Sequence, residues 1–316
     1  MRFVYVMDPI SRVNPHKDTT FAFQRAAQAR GHVALHCEPK DLYVLEGKAF
    51  AKCRQLTVSD DLPYFDFGDY ADYRLGEIDA VFIRKDPPFD QAYLYATLVL
   101  ENARGETLIV NDPRGLRDAN EKLYAMHFPE LTPRTLVTAD RDRIFAFVKD
   151  VGGKGVIKPL DGAGGSGVMM LRQDDTNARS IVDTLTGEGS RIAMVQEFLP
   201  LVTKGDKRVL LLEGKILGAI NRVPRKDDIR SNIHVGGSVE PTEVTARERQ
   251  IVETIAPRLL RDGLFFVGLD VIGERLTEVN VTSPTGIQEL GHHLGRDVAA
   301  DVIAWTESKA AGFEKR

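Results

Sequence analysis

The stretch Phe266 to Thr285, FVGLDVIGERLTEVNVTSPT, decides how the C-terminal part of the chain folds. Residues 265 to 272 are apolar or β-branched except for Asp270, Gly273 offers a turn, and residues 276 to 281 alternate apolar and polar. That pattern predicts a hairpin. Side chains two apart on a strand share a face, so Glu278 and Asn280 point the same way. A loop over Gly273 to Arg275 sets Asp270 opposite Glu278, and three oxygen donors then converge. Hard Mg²⁺ takes oxygen ligands, few of them from protein and the rest from phosphates and water. The plainer alternative is a hairpin with solvated acids. It is less comfortable for Asp270, set among Val267, Leu269 and Val271, because an unpaired buried carboxylate is costly.

At 316 residues the chain exceeds the usual single core, so two or three units are expected. With 43% hydrophobic and 28% charged residues it has an ordinary globular composition. A net charge of -4 gives no electrostatic footprint for nucleic acid. Cys37 and Cys53 make no metal-type pair and no disulfide framework, which suits a reducing cytosol. Asp8 and Pro9 break the apolar N-terminal run before a signal-peptide core is complete, and no segment approaches the roughly 20 apolar residues that cross a bilayer. The expectation is a cytoplasmic protein.

The first third alternates strand and helix. Phe3 to Met7, Val33 to Cys37, Ile78 to Arg84 and Thr107 to Asn111 read as strands, with helices at Thr20 to Arg30 and Asp90 to Arg104. Leu42 to Val58 reads as a hairpin turning at Glu46 and Gly47, followed by a polar, aromatic segment. This predicts an α/β domain with a mainly parallel sheet and a ligand at the carboxyl ends of its strands. Arg84 sits at such an end, as an anion binder through its guanidinium fork or as a partner of a nearby Asp. Arg117 to Phe128 reads as a helix. The pattern then shifts to strand pairs with helices at Arg141 to Lys149 and Ala178 to Leu185, and ends in helices over Thr245 to Asp262 and residues 287 to 310.

Gly162, Gly164 and Gly167 satisfy G-x-G-x-x-G, but the dinucleotide reading needs a helix next. Val168 to Leu171 is strand-like and Val156 to Leu160 precedes, so a glycine-rich hairpin fits better. It is either a flap whose N–H groups close over phosphates or a surface turn. Lys158, inside a strand, needs a partner such as a phosphate oxygen. Lys122, taken alone, reads as a surface lysine, and Phe198 as core. Gln196 to Leu199 close a strand where backbone amides could meet an adenine edge. Residues 225 to 237, with Arg230 and Asn232, have no hydrophobic periodicity and form a long loop suited to a lid. His292 and His293 read as helix-surface residues.

Together, MDPI (7 to 10), IRKDPPFD (83 to 90), LRDANEKL (116 to 123), KPLDGAGG (158 to 165), GDKRVL (205 to 210) and VGLDVIGERLTEVNVTSPTGI (267 to 287) resemble the ATP-grasp ligases. The resemblance is closer to the bacterial glutathione synthetases and spans nearly the whole chain. It implies that Lys122 and Lys158 hold ATP phosphates under a flap of Gly164, Gly165 and Ser166. It assigns Glu197, Phe198 and Leu199 to the adenine hinge, Asp206 to a ribose or nucleotide contact, and Asp270, Glu278 and Asn280 to Mg²⁺, with Mn²⁺ as an alternative. Arg208, Arg222, Arg230 and Asn232 match positions near the reacting groups, while Ser283 and Thr285 lie where the peptide substrate would sit; Arg84, read above as an anion binder, is expected to bind substrate beside them. Family members often carry Cys-Ile-Arg-Glu where this chain has Gly286, Ile287, Gln288 and Glu289, and the loop at 225 to 237 is more charged than is usual in the family.

The resemblance implies a fold of an N-terminal α/β domain (1–121), a central ATP-grasp subdomain (122–190) and a C-terminal subdomain (191–316). It implies ligation of γ-glutamylcysteine and glycine through an acyl phosphate, and a homo-oligomer, a tetramer by family likeness. Rivals are another ATP-grasp carboxylate–amine ligase, such as a D-alanine ligase or a glutamate-adding enzyme, and a non-catalytic nucleotide-binding scaffold.

Overall fold

Three β-sheets, read from a computed structural model that describes residues 1–225 and 237–314, carry the chain in sequence order. The first holds β1 (Arg2–Met7), β2 (Val33–Cys37), β6 (Ala80–Arg84) and β7 (Leu108–Val110) as a parallel set, with β1 between β2 and β6. These strands are covered by helices including α1 (Thr19–Ala29) and α2 (Gln91–Glu101), and therefore read as apolar runs. Each of these helices starts where expected, because the Asp18 and Asp90 carboxylates accept from the N–H groups of Phe21 and Tyr93. The hairpin β3 (Leu42–Leu45) and β4 (Lys48–Val58) turns at Glu46 and Gly47, both at positive φ.

The polar, aromatic segment after that hairpin is itself a strand, β5 (Phe65–Arg74), antiparallel to β4. The sheet is thus parallel in its centre and antiparallel at one side. The signal was there as alternation of Phe65, Phe67 and aspartates, diluted by Gly68 and by a register shift in the pairing partner near Gln55.

The expected helix over Arg117 to Phe128 does not form as one piece. The helix α3 (Pro113–Asp118) ends at Ala119, a tight turn follows, and Tyr124–His127 is a 3₁₀ turn. Asn120 breaks it: its Oδ1 accepts from the N–H groups of Lys122 and Leu123, and its amide donates to the Leu160 carbonyl. The break matters because it aims Glu121 and Lys122 inward.

The second sheet is antiparallel, β8 (Thr135–Thr138), β11 (Ala193–Glu197), β9 (Lys154–Pro159) and β10 (Met169–Arg172), backed by α4 (Arg141–Asp150) and α5 (Ala178–Thr186). It has its own small core around Ile144, Ile157, Leu171 and Val195. The third sheet runs β14 (Ser238–Pro241), β13 (Lys215–Val223), β12 (Asp206–Leu212), β15 (Phe266–Ile272) and β16 (Arg275–Asn280), all antiparallel. The helix α6 (Ala246–Arg261) opens with a capping box between Thr245 and Glu248. The single helix expected over 287 to 310 is two, α7 (Ile287–Leu294) and α8 (Val298–Ala311), separated at Gly295 with φ of 63°.

The first and third sheets share continuous cores, in which Phe3, Phe23 and Phe82 meet Leu210, Phe266 and Val302. Buried Asn111, at the end of β7, joins them. Its amide donates to the carbonyls of Phe266 and Val281 at 2.9 and 2.8 Å, and its oxygen accepts from the N–H groups of Phe265 and Phe266.

Candidate nucleotide and ligation site

The opening hairpin forms with Asp270 opposite Glu278, but not by the expected loop. The turn is tighter, with Ile272 paired to Arg275, and a bulge between Asp270 and Val271 restores the pairing by absorbing Thr277. The Thr277 hydroxyl donates to the Asp270 carbonyl at 3.1 Å and helps hold the bulge. Without it Glu278 would move to the opposite face.

One face of the third sheet then collects charge across its strands. Arg208 lies opposite Asp270, and Asp206 opposite Arg222. Arg208 grips Asp270 bidentately, Nε to Oδ1 at 2.7 Å and Nη2 to Oδ2 at 2.9 Å. Arg222 reaches Asp206 at 2.6 Å and Asp270 at 2.9 Å. Burial works to raise the Asp270 carboxyl, but the two arginines outweigh it and hold it well below the ordinary range. Among the described residues, two arginines and two aspartates pair with one another here. Gly268 makes room: a Cβ there would stand 2.9 Å from Arg208 Cδ.

Two cavities open beside this network. The first, about 120 Å³, is lined by Lys122 and Lys158, by Gly162 to Ser166, by the run Gln196 to Leu199, and by Asp206, Asp270 and Glu278. Apolar Val156, Val202 and Ile272 also line it and give the cavity an apolar patch. Sequence reading passed over these three, since in a single sequence such residues are indistinguishable from core. Of the hinge, the Phe198 N–H donates to the Lys154 carbonyl, and the Glu197 carboxylate accepts from the Arg134 N–H.

Lys158 is 8% exposed and has no ion-pair partner among the described residues. Burial lowers its pKa, with Glu278 countering. An anion in this cavity would satisfy it. Lys122, 4% exposed, donates to the Gly162 carbonyl and stands 3.2 Å from Glu278 Oε1. It therefore couples the flap to the acid on β16, and the surface-lysine reading fails because Asn120 turns the chain inward. The flap is a hairpin turn between β9 and β10, with Gly164, Gly165 and Gly167 at positive φ.

The second cavity, about 310 Å³, adjoins the first through Glu278, Ala163 and Gly164 and is lined by Asp86, Glu121, Arg208, Arg222, Asn280, Ser283 and Thr285 among others. Glu121, read from the sequence only inside LRDANEKL with no role of its own, is one of these lining residues. Its carboxylate accepts from the N–H groups of Val281 and Thr282 and from the Thr282 hydroxyl. Burial, then Glu278, push its carboxyl above the ordinary range against the pull of those donors.

Arg84 is absent from both linings. It is 4% exposed, its Nε donates to Thr20 Oγ1 at 3.1 Å, its Nη2 donates to the Pro284 carbonyl at 3.0 Å, and Phe23 and Phe266 flank it. The guanidinium thus grips the VTSPT loop from behind. Gln288 ties α7 to the N-terminal segment by donating to the carbonyls of Pro15 and Asp18. His292 and His293 are exposed. Arg230 and Asn232 lie outside the described residues.

Asp270, Glu278 and Asn280 are a hard oxygen set suited to a divalent ion. The Asn280 amide donates to the Gly268 carbonyl at 3.2 Å, which leaves its oxygen for another partner. Glu278 and Asn280 meet in the second cavity, while Asp270 lines the first and is engaged by arginines.

Comparison with known proteins identifies the family. Residues 1–117 match the family model for the prokaryotic glutathione synthetase N-terminal domain, and residues 121–295 that for its ATP-grasp domain. The chain is 45% identical to a glutathione synthetase of Gloeobacter violaceus over 312 residues, covering 96% of each chain. It is 46% identical to that of Shewanella oneidensis over 288 residues, 90% of this chain and 91% of the relative. Among solved structures it resembles a D-cycloserine synthetase, with a TM-score of 0.65 at 15% identity over 96% of this chain and 99% of that one. It also resembles D-alanyl-alanine synthetase A of Vibrio cholerae, with a TM-score of 0.62 at 13% identity over 98% of each. Those two show the shared fold. By its sequence over both domains, the chain belongs to the prokaryotic glutathione synthetase family, with an ATP-grasp domain.

Proposed function

We propose that this chain joins the cysteinyl carboxylate of γ-glutamylcysteine to the amine of glycine, with cleavage of ATP to ADP and phosphate. The observation that carries this reading is Lys158, a buried cation with no ion-pair partner among the described residues, lining a cleft beneath a glycine flap. A second, charged cavity opens from that cleft at Glu278.

In this reading the base lies against Val156, Val202 and Ile272 at the Glu197 to Leu199 hinge, Asp206 contacts the nucleotide, and Lys122, Lys158 and the Gly164–Ser166 flap hold the phosphates. Asp270, Glu278 and Asn280 would hold Mg²⁺, with Mn²⁺ as a substitute, and the ion supplies neutralisation of phosphate charge. The peptide carboxylate oxygen attacks the γ-phosphorus, the bond to the bridging oxygen breaks, and ADP leaves. The glycine nitrogen then attacks the acyl carbon, the acyl C–O bond breaks, phosphate leaves, and the amine proton passes to solvent. No protein nucleophile is needed, so positioning and charge carry the rate. Arg208 and Arg222, braced by Asp270, face the second cavity where charge develops, with Arg230 and Asn232 as further candidates. Ser283 and Thr285 line the peptide end, and Arg84 fixes their loop through Pro284. The loop read as a lid over 225 to 237 lies almost wholly outside the described residues.

Sheet membership supports a three-unit division near 1–121, 122–190 and 191–316, with the middle sheet running on to Glu197. A homotetramer and a cytoplasmic location complete the proposal. No described helix is long and apolar enough to cross a membrane. The deciding experiment is an ADP-release assay with γ-glutamylcysteine alone, then with glycine. ADP accumulating only with both is the expected result, and no ADP with any amine would leave the scaffold reading standing.

A further inference from the structure

The two carboxylate oxygens of Glu121 have different surroundings. Oε1 takes three donors, the N–H groups of Val281 and Thr282 at 3.0 Å each and the Thr282 hydroxyl at 2.7 Å. The residue's backbone carbonyl also accepts from the Val279 N–H at 2.9 Å. The side chain is therefore pinned on both ends and has little freedom left. Oε2 has no hydrogen-bond or ion-pair partner among the described residues, and the residue lines the second cavity beside Asp86, Asn280, Thr282 and Ser283. Neighbouring Lys122 gives it no relief, since that ammonium is turned to Gly162 and Glu278. A pinned carboxylate oxygen facing a cavity, with no cation of its own, is a preformed acceptor for a positively charged or N–H-bearing ligand.

Resting on the ligase reading above, we propose that the free oxygen of Glu121 receives the amino group of the amino acid that acts as nucleophile. The placement suits that task. Glu121 is rigidly tied to the VTSPT loop that lines the peptide end, so the amine and the acyl group are held by one piece of structure. Orientation of this kind is where a bimolecular step gains most. A divalent ion at the same oxygen is the competing occupant.

Glu121→Gln separates the two ends of the side chain. Three donors converge on Oε1, so the amide oxygen must take that place, and the amide nitrogen is turned to the cavity as a donor that repels an ammonium. Steady-state kinetics with glycine varied are expected to show KM for glycine raised at least about tenfold, the loss of about 1.4 kcal/mol of binding. KM for ATP and for γ-glutamylcysteine should stay within about threefold. Acyl phosphate formation, trapped as the hydroxamate with hydroxylamine and no glycine, should persist, and Glu121→Asp should recover part of the glycine affinity. An unchanged glycine KM in Glu121→Gln overturns the proposal, leaving Glu121 a loop anchor. So does a shifted Mg²⁺ requirement with glycine KM unchanged, which assigns the oxygen to metal. Loss of hydroxamate formation in both variants also overturns it, as a structural role. If the wild-type protein forms hydroxamate but does not use glycine, it is the assignment of the amine substrate that fails, and if it forms neither product the ligase reading fails.

Discussion

The two walls of the first cavity handle charge in opposite ways. On the third sheet, Arg208 and Arg222 are matched by Asp206 and Asp270 within one buried network, and that sheet is fused through Asn111 and shared cores to the N-terminal sheet. On the second sheet, Lys158 stands buried and unmatched among the described residues, on a unit with a separate, smaller core. Arg208, Arg222, Asp206 and Asp270 satisfy one another without a ligand, whereas Lys158 has no such partner among the described residues. A cleft built this way keeps a fixed side for alignment and a side that gains stability when an anion binds. It is the unit with the smaller core that carries the flap.

The comparison breaks first at Arg222. Arg222→Ala strips Asp206 of a partner and leaves Asp270 with one arginine, and removing one member of a buried ion network costs about 4 kcal/mol. Urea unfolding is expected to show that loss across the fused body, and a loss below about 1 kcal/mol would mean that water already screens the network. Next comes Leu171→Ala in the small core, expected to cost about 3 kcal/mol. Because that core is separate, the loss should appear as local opening. Amide exchange should quicken in β8 to β11 while β1 and β6 keep their protection, and uniform quickening would show the two cores to be one cooperative unit. The smallest effect has the opposite sign. Lys158→Met removes an unmatched buried cation and is expected to raise stability by about 1 kcal/mol, a shift of a few degrees in Tm. It should also abolish the stabilisation by ATP, about 2.7 kcal/mol for the wild type at a hundredfold excess over Kd. A variant that is destabilised and still shifted by ATP would remove Lys158 from the nucleotide site.

The pH dependence follows the same contrast. The Asp270 carboxyl is held low in the fold relative to an unfolded chain, so its contribution is present above the ordinary carboxylate pKa and is lost as pH falls through its depressed folded value. Lys158 is lowered in the fold, so its burial penalty is full at low pH and eases once pH rises past the folded pKa.

Periodicity and turn residues in the sequence determined the alternating N-terminal elements, the glycine hairpin between two strands and the opposition of Asp270 to Glu278. These depend on local patterns of burial and on the φ that glycine allows. What failed locally failed where a side chain competes with the backbone or a neighbour intervenes: Asn120 ending a helix, Gly295 splitting another, Thr277 absorbed in a bulge. Six motifs in family order gave the chemistry, yet could not say which charges were already matched. Only tertiary structure decided that Arg84 turns inward to Pro284, that Asp270 is held by two arginines while Lys158 has no ion-pair partner among the described residues, and that Glu121 keeps one oxygen without a partner among them. Whether a charged group is matched or left for a ligand depends on which strands stand beside it, and that is set by packing between segments far apart in the chain.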